Sequence, residues 1–182
     1  PGDEIIILLP HYPPYVVNAQ LAGAKAVYVK VKSEDGFVPD PAAIEEAITE
    51  KTKIIIVLTP NNPTGSVYPE ETLQGILDLA KKHKIVLISD EVYETLVFDG
   101  AEHKSLLSLP DAKDCVVQIN SFSKTYAMTG LRVGYLVASS DKVLQFLKYH
   151  HTVNISANVP SQMACIAALK GPQDCVEEMR QA

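Results

Sequence analysis

Ser121, Ser123, Lys124 and Arg132 stand close together in the stretch NSFSKTYAMTGLRVGY, directly after the apolar run CVVQI. Hydroxyls and a guanidinium can together hold a phosphate, the guanidinium in two-pronged geometry. A lysine amine can bond a carbonyl carbon covalently. The chain carries 16 Lys and Arg against 22 Asp and Glu, a net charge of -6. That balance disfavours a broad nucleic-acid or anionic-membrane surface, so these cations point to a local anion site.

Such a cluster needs a rigid frame. Short β-rich runs alternate with amphipathic helical patterns, which predicts an α/β fold with a mostly parallel sheet and helices on both faces, three layers in all. The expected strands are Glu4 to Leu9, Ala26 to Val31, Lys53 to Leu58, Ile85 to Ser89, Cys115 to Ile119 and Val133 to Ala138. Most are apolar on both sides, as buried parallel strands are. Helices are expected from Pro14 to Leu21 with a stop at Gly23, after Asp40 and Pro41 through AAIEEAI, and from near Pro69 to the basic KKHK. Two more are expected over Asp141 to His150 and Ser161 to Leu169.

With 182 residues, 47% of them hydrophobic, the chain suits one compact soluble domain. Apolar runs such as IIILL and IIIVL are far shorter than the ~18 residues of a membrane span. Cys115, Cys165 and Cys175 form no CxxC pair and read as reduced thiols of a cytoplasmic protein, and no metal site is expected. The opening PGDEIIILL starts on a turn and enters a strand at once, like the interior of a longer chain.

In open parallel sheets the ligand crevice lies beyond the carboxyl ends of the strands. Four successive strand exits read PHYPPY, TPNNPTG, SDEVYETLVF and NSFSKTYAMTGLRVGY. Each has a plain structural reading. NNPTG is a good turn, Asp90 a good cap, Tyr93 a core aromatic, and Tyr12 a partner for Pro13 and Pro14. Lys124 and Arg132 suit a solvated surface. The convergence is more informative than any single motif. An aromatic face, a carboxylate for a ring nitrogen, an amide and phenol for a ring oxygen, a lysine for an aldehyde and a phosphate cluster together describe a site for pyridoxal 5'-phosphate.

PHYPPY, NNPTG, DEVY and SFSKTYAMTGLRVGY, in this order, resemble the class I and II aminotransferases, the fold type I enzymes that use pyridoxal phosphate. The likeness extends over residues 1–182 and is nearest to the aspartate and aromatic branch. It implies that Lys124 forms the covalent imine with the cofactor and then moves the substrate's proton. Asp90 would pair with the pyridine nitrogen, and Tyr93 and Asn62 would bond the ring's phenolic oxygen. Ser121, Ser123 and Arg132 would hold the phosphate, and Tyr12 would stack on the ring. The implied reaction moves an amino group from an amino acid to a 2-oxo acid, in a homodimer.

The same resemblance implies a partial large cofactor-binding domain. An N-terminal segment with a Gly-rich phosphate turn, and a C-terminal small domain whose arginine grips the substrate carboxylate, are expected to be missing, leaving an open sheet edge and a weakly active or inactive piece. Other readings compete. A pyridoxal-phosphate carbon-sulfur lyase uses the same residues, and a non-catalytic cofactor-binding fragment would keep them without turnover. Ser121 to Lys124 fits S-x-x-K and Ser156 to Asn158 fits S-x-N of serine hydrolases, but K-[ST]-G is missing. Neither GxGxxG nor GxxxxGK[ST] occurs, which disfavours nicotinamide and nucleoside triphosphate sites.

Overall fold

The computed structural model describes residues 1–181. Strands β1 (Glu4–Leu9), β2 (Lys25–Lys30), β3 (Thr52–Leu58), β4 (Val86–Asp90), β5 (Val116–Ser121) and β6 (Gly134–Val137) form one sheet, ordered β2-β1-β3-β4-β5-β6. The first five are parallel, and β6 runs antiparallel to β5. The helices are α1 (Pro14–Leu21), α2 (Pro41–Glu46), α3 (Glu70–His83), α4 (Phe122–Thr125), α5 (Ser140–Val153), α6 (Val159–Lys170) and α7 (Asp174–Gln181).

The strands are apolar on both sides because both sides are covered. Ile6, Leu8, Ile55, Val57 and Leu87 pack in one cluster with Ile44 of α2 and Leu73, Ile76 and Leu77 of α3. On the opposite face Ile56, Val117 and Ile119 lie with Tyr15 and Ala19 of α1 and Phe146 of α5. Cover there is incomplete, leaving an apolar opening of about 280 Å³.

Local chemistry sets the helix ends. In α3 the buried Leu73, Ile76, Leu77 and Ala80 recur at helical spacing, with Glu70 and Glu71 in the first turn and Lys81, Lys82 and His83 in the last. The Asp40 carboxylate accepts from the Ala42 N–H at 2.9 Å and caps α2, with Pro41 at its first position. Gly23 follows α1 at φ +71°, the left-handed conformation that favours glycine at a helix stop.

The expected elements are all present, and their boundaries differ for identifiable reasons. β5 continues through Asn120 and Ser121 because β6 pairs with it there, opposite Tyr135 and Gly134. α2 ends at Glu46, two residues before Ile48, and α5 runs on to Val153. α7, absent from the sequence-based expectation, is largely polar; Arg180 pairs with Glu177 within the helix and ties it down by donating to the Val97 carbonyl. All three cysteines are free. Among the described residues no helix is long and apolar enough to cross a membrane.

β6 pairs only with β5, and its four residues are exposed. Leu144, Tyr149, Val153 and Ile155 are exposed nearby on and after α5. An unpaired edge beside apolar surface favours association. The purified chain is therefore expected to elute above its monomer mass in size-exclusion chromatography; a single monomeric peak contradicts this. Ile76 is fully buried, so Ile76→Ala should lower the unfolding free energy by about 2–5 kcal/mol in urea titration.

Candidate active site

Leu58 of β3 lies opposite Asp90 of β4, and Asp90 opposite Ile119 of β5, so three parallel strands end at one level. The chain reverses its direction of travel across the sheet between β1 and β3, where loops leave in opposite senses and open a crevice. A cavity of about 320 Å³ lies at these strand ends. The structure brings all eight nominated residues to its walls: Tyr12, Asn62, Asp90, Tyr93, Ser121, Ser123, Lys124 and Arg132.

Asp90 closes β4 and is 8% exposed. Its carboxylate accepts from the Val92 N–H at 3.2 Å and from the Tyr15 phenol. Burial pushes its pKa above the ordinary range, against the opposing pull of those two donors. Burial and the adjacent Asp90 charge push the Tyr15 phenol up as well, so it remains a donor. Tyr15 lines the cavity and was missed in the sequence. Its signal was the pairing of Tyr15 with Ala19, four residues apart on the sheet-facing side of α1.

NNPTG is both turn and site. Asn61 makes the turn, accepting from the Thr64 hydroxyl at 2.9 Å and from the Gly65 N–H at 2.8 Å. That leaves Asn62 free to face the cavity, where its amide donates to the Tyr93 hydroxyl at 3.4 Å. The Lys124 Nζ lies 5.7 Å from the Tyr93 ring centroid, within cation–π range. Tyr12 is exposed and meets Tyr15 edge-on at 5.6 Å, so its ring forms an open wall.

At the other end, Ser121 caps the single turn of α4, its Oγ accepting from the Ser123 N–H at 3.1 Å. The two serine hydroxyls are 2.9 Å apart. Arg132 holds φ +54°, an uncommon conformation for a side-chain-bearing residue, and its guanidinium donates to the Thr129 carbonyl at 2.9 Å. Gly134 lets β6 approach: a Cβ there would lie 2.6 Å from the Asn120 carbonyl oxygen, directly before Ser121.

The donor set fits pyridoxal phosphate. A buried carboxylate whose own environment disfavours its charge is matched to a cationic ring nitrogen. An amide and phenol, an exposed amine, and a hydroxyl pair with a guanidinium supply the remaining partners.

Comparison with known proteins places the chain in a family. The family described as aminotransferase class I and II matches residues 1–182. An aspartate aminotransferase from Bacillus sp. strain YM-2 is 41% identical over 184 residues, covering 100% of this chain and 46% of that protein. Among solved structures, an aromatic aminotransferase from Pyrococcus horikoshii superposes with a TM-score of 0.96 at 36% identity, over 99% of this chain and 49% of that one. Aspartate aminotransferase from Thermus thermophilus with maleate gives a TM-score of 0.93 at 36% identity, over 100% and 46%. The chain thus spans about half the length of the relatives it matches.

The raised Asp90 pKa fixes the sign of a pH effect. Between the unfolded aspartate value, about 3.9, and the higher folded value, the folded state binds more protons, so stability falls as pH rises through that window. Asp90→Asn removes this slope. In ligand-free chain, wild type should lose stability relative to Asp90→Asn as pH rises from about 4, read from urea midpoints; parallel pH profiles would refute the assignment.

Proposed function

The chain belongs to the class I and II aminotransferases, and we propose that it is the cofactor-binding part of an enzyme that moves an amino group from an amino acid to a 2-oxo acid with pyridoxal phosphate. The observation that carries this reading is the convergence of eight residues, from four separate strand exits, on one cavity.

Within that reading, Ser121, Ser123 and Arg132 anchor the phosphate and so fix the position of the ring. Asp90 keeps a negative charge at the ring nitrogen, a role that favours its ionised form once the ligand is seated. Tyr93 and Asn62 donate to the ring oxygen, and Tyr12 covers one face. The cofactor, when bound, supplies an electrophilic carbon and a conjugated electron sink for heterolysis at the α-carbon of an amino acid. The Lys124 amine is the covalent anchor and, when free, the base that takes the α-proton and returns it elsewhere. Preorganised donors around the ring act through position and charge.

In this reading the whole enzyme is a cytoplasmic homodimer. Its relatives include aspartate and aromatic aminotransferases, which favours transamination over carbon-sulfur lysis.

Purified chain mixed with pyridoxal phosphate should develop a visible absorption band. Borohydride should remove the band while fixing the pyridoxyl group to Lys124, located by peptide mass. Lys124→Ala should abolish both signals. A folded chain that shows neither sinks the reading. With an amino acid and 2-oxoglutarate, turnover by the chain alone is expected to be weak or absent, and rapid sustained turnover would show that this sequence suffices.

A further inference from the structure

Directly after Asp90, the carboxylate of Glu91 is fully buried in a pocket of donors. One oxygen accepts from the Ser89 hydroxyl at 2.8 Å, the Ser105 hydroxyl at 3.2 Å and the Leu106 N–H at 3.1 Å. The other accepts from Gln118 Nε2 at 2.9 Å and lies 3.1 Å from His103 Nε2, which donates in the matching tautomer. These partners come from β4, β5 and the segment that leads into the turn at Leu106.

Glu91, Glu94 and His103 place ligand-type atoms within 4.8 Å of one another. The Glu91 oxygens already accept from five donors, so the cluster is a clamp and not a cation site. Its position is informative. The Glu91 backbone donates to the Ile119 carbonyl at 3.0 Å and accepts from the Glu94 N–H at 2.9 Å, opening the turn that carries Tyr93. That turn continues to Thr95, whose hydroxyl is 3.0 Å from that of Thr125, the residue after Lys124.

We propose that Glu91 is a positioning residue: its buried carboxylate locks the turn from Asp90 to Thr95, and through it sets where Asp90, Tyr93 and Lys124 meet a bound cofactor. The inference rests on reading the cavity as a pyridoxal phosphate site. The Glu91 side chain does not line the cavity, so its effect is geometric. Geometry and charge are separable here. In Glu91→Gln, Gln118 can turn its amide and accept from the new NH2, and His103 can accept in its other tautomer at the cost of a proton on the partnerless Nδ1, so most of the clamp persists. In Glu91→Leu the donors are stranded in a buried site and the turn is released.

The test is spectral titration of wild type, Glu91→Gln and Glu91→Leu with pyridoxal phosphate, with hydrogen exchange of the ligand-free chains. Glu91→Gln is expected within about threefold of wild-type affinity, and Glu91→Leu weaker by about tenfold or more, with faster exchange confined to residues 90–96 and 103–106. Wild-type affinity in folded Glu91→Leu overturns the proposal, as does equal weakening in both variants, which would make the effect one of charge. If Glu91→Leu does not fold, His103→Phe decides: weaker affinity with faster exchange supports the clamp, and wild-type behaviour overturns it. If wild type itself takes up no pyridoxal phosphate, the reading of the cavity falls, and with it any cofactor role for Glu91. Exchange that is unchanged in the variants would then remove the clamp as well.

Discussion

Parallel pairing of β3, β4 and β5 in a register that aligns Leu58, Asp90 and Ile119 is the constraint from which the site hangs. Ladder hydrogen bonds fix the three strand ends, and the apolar residues on both sides of the sheet prevent a slip, since moving one residue would turn each core side chain to the wrong face. With the ends fixed, the four exits need only short polar segments to bring their side chains together. Most of the cavity residues sit within four positions of a strand end; Tyr15 is held on α1, and Thr129 and Arg132 on the loop into β6.

Two adjacent carboxylates show how differently one strand end can treat a charge. Asp90 and Glu91 are both buried, and burying a carboxylate is costly without hydrogen bonds. Glu91 is fully provided for by protein donors. Asp90 has the Tyr15 phenol and one backbone N–H, and its pKa is displaced upward accordingly. The well-satisfied group is enclosed by its donors; the less satisfied one faces an open cavity.

Much of this was legible in the sequence because the signals were local. Strands apolar on both faces announced a covered parallel sheet, and Asp40-Pro41 or the KKH end of α3 announced helix boundaries. The convergence of these residues on one cavity was legible because they stand after strands in chemically distinctive blocks. What escaped was non-local. The Tyr15 to Asp90 bond spans 75 residues, and Glu91 collects partners as far away as Gln118. The extension of β5 depends on β6 arriving from the far side of the Arg132 loop. Asn120 and Ser121 alone give no reason to be a strand, and α7, largely polar, lacks the apolar stripe by which a helix is usually recognised.

The left-handed backbone at Arg132 sets a limit on how this loop can drift under mutation. Such a conformation costs an ordinary residue of order 1 kcal/mol or more, and glycine would relieve it. Glycine would also delete the guanidinium, and lysine would keep the strain while giving up the planar fork. A chain selected only for foldability would tend to lose arginine here. If its guanidinium holds the phosphate as proposed, its persistence at such a backbone position would report selection for that anion.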